Sequence, residues 1–119
     1  MASFRLTETG NVMTIQQGAT FSLSVNYAAV ANLSSGYTAR MQGRTTHDAS
    51  ATVFSLTSSD GITLGSSSPN IVVTMAATAT DDFTAPSSGV YDLELVTTST
   101  GAVYRILEGS FEITPEVTR

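Results

Sequence analysis

One imidazole in this chain sits beside a carboxylate, at His47-Asp48, the smallest unit of a general base with a group to orient it. Consecutive side chains of an extended segment point to opposite sides, and no serine among so many can be tied to the pair as a nucleophile. A solvated loop histidine is therefore expected, and the chain is not read as an enzyme. Asp60, Asp81 and Asp82 carry oxygens that calcium accepts, but no D-x-D-x-D-G loop is present. Turn and helix-start roles account for all three, so neither a metal nor any other cofactor is expected. Asp92 and Glu94 fall on one wet strand face opposite a strand bearing Arg105, which predicts cross-strand ion pairs. Asn32-Leu33-Ser34 fits a glycosylation sequon, a pattern common by chance.

The elements that hold these groups read as strands throughout. Phe21, Leu23, Val25 and Tyr27 alternate with polar residues, as do Tyr37, Ala39 and Met41, and then Ile71, Val73 and Met75. Asn11 to Ile15 is a less regular strand, Val53 to Leu56 another, and Ile62 with Leu64 a short one after the Asp60-Gly61 turn. Thr45 to Ala51 is polar and predicted to loop. Ala76 to Pro86 breaks the period-two pattern and is predicted to be a short helical crossover, capped by a threonine, with Asp81 and Asp82 favoured by the helix dipole. From Gly89 onward the chain reads as a β-hairpin. Tyr91, Leu93 and Leu95 face inward on the first arm, and Tyr104, Ile106, Phe111 and Ile113 on the second. Pro115 cannot continue a central ladder and should end it.

The chain has 119 residues, room for one sandwich of seven to eight strands, and no run of about 20 apolar residues that could form a membrane helix. The start, MASFRLTETG, lacks the basic and apolar regions of a secretory signal, and residues 1–15 allow a partly extended arm. There is no cysteine, so no disulfide or thiolate site. The net charge of −5 is built without lysine; every cation is an arginine, at positions 5, 40, 44, 105 and 119. Such a surface cannot neutralise a phosphate backbone, so nucleic acid is excluded as a partner, as is a membrane. Arginine without lysine fits either genomic base composition or an interaction surface, since guanidinium is weakly hydrated and pairs in a planar fork. A carbohydrate face would want an exposed aromatic; there is no tryptophan, and Tyr27, Tyr37, Tyr91 and Tyr104 fall mostly on inward rows.

The stretch GVYDLELVTTSTGAVYRILEGSFEITPEVTR at Gly89 to Arg119, with GYTARMQ at Gly36 to Gln42 and GITLG at Gly61 to Gly65, resembles small tailed-bacteriophage virion proteins. These are similar in plan to the amino-terminal module of phage baseplate upper proteins. The resemblance implies an all-β fold, a single immunoglobulin-like antiparallel β-sandwich with one short helical crossover. It also implies a non-enzymatic virion structural protein, present in multiple copies on the tail, baseplate or tail-fibre attachment apparatus and assembled in the host cytoplasm. Its partners would be other phage structural proteins and copies of itself. Arg40, Arg44, Pro115, Val117 and Arg119 are the candidate interface residues. A capsid decoration protein and a host-surface glycan-binding module are the alternatives.

Overall fold

A computed structural model describes residues 12–118. Eight strands and one helical turn follow one another: β1 (Met13–Gln16), β2 (Phe21–Val25), β3 (Tyr37–Arg44), β4 (Phe54–Thr57), β5 (Ile62–Leu64), β6 (Ile71–Met75), α1 (Ala77–Thr80), β7 (Ser87–Thr97) and β8 (Val103–Thr114). They form a five-stranded sheet in the order β1-β8-β7-β3-β4 and a three-stranded sheet in the order β2-β6-β5. The small sheet holds the B-E-D places of an immunoglobulin-like sandwich and β8-β7-β3-β4 the G-F-C-C′ places. One pairing departs from the expected antiparallel plan. β1 lies parallel to β8, with Met13 opposite Phe111 and Gln16 opposite Thr114. Of the predicted arm, residues 1–11 lie outside the described residues, whereas Met13 and Ile15 are core residues of β1.

The two sheets meet because each strand is apolar on one face only. Met41, Leu93, Leu95, Phe111 and Ile113 from the large sheet and Val25, Ile71 and Val73 from the small one are all at most 1% exposed. Phe54 packs edge-on against Phe111, with ring centroids 5.3 Å apart. Two glycines admit this packing. A Cβ on Gly43 would enter the Phe54 ring, and one on Gly89 would strike the backbone carbonyl of Arg44. Phe21 and Leu23, expected inward, are only half-buried.

The predicted crossover between the sheets is present as α1, but its cap is not the predicted one. The turn starts after Ala76, without a side-chain cap, and Asp81 is its carboxyl-terminal cap. Neither aspartate therefore meets the amino-terminal end of the dipole. Thr80 is buried instead, its hydroxyl donating to the carbonyls of Ala19 (2.8 Å) and Ala77 (3.1 Å) and tying the turn to the loop before β2.

The hairpin β7-β8 also differs from a simple alternation. Leu93 pairs with Leu107 but the next residue, Glu94, pairs with Arg105, so Ile106 is an extra residue in β8, a β-bulge. Both Ile106 and Leu107 are buried as a result. Tyr104, expected in the core, is 48% exposed: it shares a face with Leu95 but lies at the uncovered end of the strand.

Tyr91 stands two residues before Leu93 on β7, the relation of the tyrosine-corner residue to the second cysteine of antibody domains. Here the cysteine position is Leu93, and the buried Tyr91 hydroxyl has no hydrogen-bond partner among the described residues. Burial pushes the Tyr91 pKa from 10.0 to about 12. The folded state disfavours the phenolate, so its contribution to stability is intact below pH 10.0 and is lost only as pH rises toward about 12. Tyr91→Phe removes an unsatisfied polar atom and keeps the ring. Its expected effect on the urea midpoint is neutral to stabilising, by up to about 1 kcal/mol, and a loss greater than that would reveal a bonded hydroxyl.

Candidate functional site

The outward face of the large sheet is where polar side chains converge. β3, β7 and β8 run side by side there, and their right-handed twist makes the face concave. A groove of about 490 Å³ results, lined among others by Gln42 and Arg44 from β3, Asp92 from β7, Arg105 and Glu108 from β8, and His47 from the β3-β4 loop.

The charges on this face of the sheet are paired in a definite order. Arg40 stands opposite Glu94 in the β3-β7 ladder, and its Nε donates to Glu94 Oε1 at 2.7 Å. Arg105 stands opposite Glu94 from the other side, but with Glu94 taken its Nε lies 3.4 Å from Asp92 Oδ2 and its Nη1 3.4 Å from Glu108 Oε1. Of the predicted cross-strand pairs, Asp92 with Arg105 is present, whereas Glu94 pairs with Arg40 of β3 in place of Arg105. Apart from Glu94, at 20% exposed, these side chains are substantially exposed, so the Arg105 pairs contribute little to stability. Arg44 donates to the Ala49 carbonyl at 2.9 Å and to Gln42 Oε1 at 3.0 Å, holding the His47 loop against the sheet.

Asp92 is pushed above the ordinary carboxylate value, first by burial and then by the charge of Glu94, with Arg105 opposing. Its folded state favours the proton, so the stability linked to it is present below the ordinary pKa of 3.8 and declines as pH rises through the raised value.

His47 and Asp48 lie in the predicted loop and are exposed. Among the described residues no cluster of three metal-ligating side chains occurs, and no helix is long and apolar enough to cross a membrane. Of the five candidate interface residues, Arg40 and Arg44 lie on β3, each engaged as described. Pro115 follows the last residue of β8, as expected of a strand stop. Val117 is 91% exposed, while Arg119 lies outside the described residues. The tail is anchored just before Val117, where the Glu116 amide donates to Gln17 Oε1 at 3.1 Å.

Asn70 closes the run Ser66-Ser67-Ser68-Pro69-Asn70, which by sequence reads only as a turn. Asn70 is 1% exposed, and its side chain bonds the backbone of the segment between β2 and β3 at Tyr27, Val30 and Ala31. An asparagine directly before an apolar strand is also the pattern of an ordinary turn, so no local signal separates the two roles.

Fold and site together define the class: an all-β, two-sheet sandwich of immunoglobulin-like strand order, with a polar, internally ion-paired groove on one sheet. No protein-family model matches the chain, and no curated protein matches it in sequence.

Proposed function

We propose that this protein is a non-enzymatic structural protein of a bacteriophage virion, a multicopy component of the tail, baseplate or tail-fibre attachment apparatus. The phage assignment rests on the sequence resemblance, whose three stretches lie on β3, β5 and the β7-β8 hairpin. The observation that carries a structural role is the surface available for assembly. Val103 and Tyr104 on β8 and Val117 in the tail are large apolar side chains that stand exposed. Exposed apolar side chains of this kind suit contact with another chain.

Quantitative mass spectrometry of purified particles of the encoding phage tests the reading. A few to a few tens of copies per particle agrees with a tail component, hundreds with a capsid decoration protein, and absence from the particle overturns both. The carboxyl terminus supplies a second assembly test. Because Glu116 is bonded to Gln17, a truncation must begin at Val117 to spare the fold. Removal of Val117 to Arg119 is expected to leave the circular dichroism spectrum and melting temperature unchanged and to lower incorporation into particles. Wild-type incorporation of the truncated chain would remove Val117 and Arg119 from the interface.

The groove favours a second reading, a host-surface glycan-binding module, because arginines and carboxylates side by side can bond sugar hydroxyls. Binding of the isolated domain on a glycan array, abolished by Asp92→Ala, would establish it in place of the structural role.

A further inference from the structure

Among the described residues, Arg44 is the cation of the outer face that has only neutral partners. We infer that it is the receptor for a carboxylate, and that the groove beside it takes an acidic sugar, a hexuronic or sialic acid unit of a glycan. The inference rests on the glycan-binding reading and narrows it to one class of ligand.

Arg40 and Arg105 are both matched by carboxylates, Arg40 by Glu94 and Arg105 by Asp92 and Glu108. Arg44 instead donates from Nη1 to the Ala49 carbonyl and from Nη2 to Gln42 Oε1, neither of which carries a charge. The charges that act on Asp92 are those of Glu94, Arg105, Glu108 and Arg40, so Arg44 stands outside that network. A guanidinium has five N–H donors, and its two bonds leave the Nε–H and one N–H on each terminal nitrogen for a ligand. The same bonds fix the plane of the fork, so little freedom is lost when a carboxylate docks on it. Arg44 is half-buried, which strengthens its attraction for an anion over that of a cation in open water.

The rest of the groove selects a sugar. Its volume of about 490 Å³ suits a small molecule. Asp92 accepts hydrogen bonds there, Arg105 donates them, and a sugar hydroxyl does both at once. Val90, opposite Arg44 in the β3-β7 ladder, gives the C–H face of a ring an apolar floor. An acidic peptide would instead set its further carboxylates against Asp92 and Glu108. The only aromatic of the lining, Tyr91, is buried, so a neutral sugar finds no exposed ring to stack on. Recognition has to come from charge, and Arg44 is the charge left for it.

Titration of the isotope-labelled full chain with the methyl glycosides of glucuronic, galacturonic and N-acetylneuraminic acid, followed by NMR, is expected to move the amide signals of Arg44, His47 and Asp92 and the Arg44 Nε–H signal, with millimolar dissociation constants. Methyl glucoside and methyl galactoside carry a hydroxymethyl group in place of the carboxylate and should bind at least about tenfold more weakly, since a charge-assisted hydrogen bond is about twice as strong as a neutral one. Arg44→Gln should weaken the acids by about the same factor and leave the neutral sugars unchanged. Arg40→Gln removes an equal charge from the same face outside the groove and should alter neither. The contrast between acid and neutral sugar needs no variant, so it stands whether or not loss of Arg44 loosens the His47 loop. Equal binding of the two kinds of sugar overturns the inference and leaves the glycan reading in place. Acetate or a glutamate tripeptide bound as tightly as the acidic sugars overturns it too, by showing an anion site without sugar recognition. No response to any sugar, together with an empty glycan array, overturns both readings, while particle composition decides the virion role separately.

Discussion

Leu93→Ala lowers the unfolding free energy of the domain by about 2 to 5 kcal/mol, toward the upper part of the range for truncation of a buried leucine. Leu93 is fully buried on β7, the middle strand of the large sheet, and faces Met41 of β3 on one side and Leu107 of β8 on the other. Both neighbours are themselves buried in the closely packed core, so little can move in to fill the space. The vacated volume stays open, and the cavity cost adds to the lost transfer energy. Urea denaturation, with the slope checked for constancy, measures it. A change below about 0.5 kcal/mol, ordinary for a surface substitution, would place the hairpin with its other face inward.

How much of this was legible in the sequence depends on what each element's neighbours contribute. The β7 face was readable because the strand is central: Tyr91, Leu93 and Leu95 alternate with polar residues, and nothing interrupts them. β8 was readable only in its second half. Ile106 and Phe111 differ by an odd number of positions, which by itself requires a change of phase between them, and the bulge at Ile106 is that change. Its consequence, burial of Leu107, goes against strict alternation and was missed. Tyr104 lies on the right face, but the small sheet does not cover that end of β8. Period-two patterning reports the face of a strand and not what lies over it.

Partners across a ladder were less legible still. Nothing in Met13–Gln16 tells a parallel neighbour from an antiparallel one, because both bury alternate residues. The groove follows from twist and from which strands adjoin, so Gln42, Arg44 and Arg105 gave no sign of converging. The charged ladder was partly visible through the sign and spacing of Asp92, Glu94 and Arg105. Arg40's place in it required knowing that β3 lies beside β7.

Asn70→Ala is the second substitution with a large expected effect, and its cause is polar rather than apolar. The Asn70 Oδ1 accepts the Tyr27 amide at 2.8 Å, and its Nδ2 donates to the carbonyls of Tyr27 at 3.0 Å, Val30 at 2.8 Å and Ala31 at 3.3 Å. One side chain thereby bonds four backbone groups of a segment that has no regular ladder of its own, while its backbone carbonyl holds Gly65 at 2.9 Å. Alanine leaves those partly buried backbone groups without a partner, at a cost of about 3 kcal/mol in total, since each orphaned group costs on the order of 1 to 3 kcal/mol before water enters to relieve it. Asn70→Asp separates hydrogen bonding from shape. It preserves the volume and the acceptor, but when ionised it sets a carboxylate against three carbonyl oxygens. The aspartate variant is therefore expected to be less stable than the alanine variant at neutral pH and to recover as pH falls, because protonation restores a donor. Urea midpoints of both variants at neutral and acidic pH measure the contrast. An alanine variant within about 0.5 kcal/mol of wild type, or an aspartate variant indifferent to pH, would show that the segment between β2 and β3 is held by its apolar anchor Leu33 and not by Asn70.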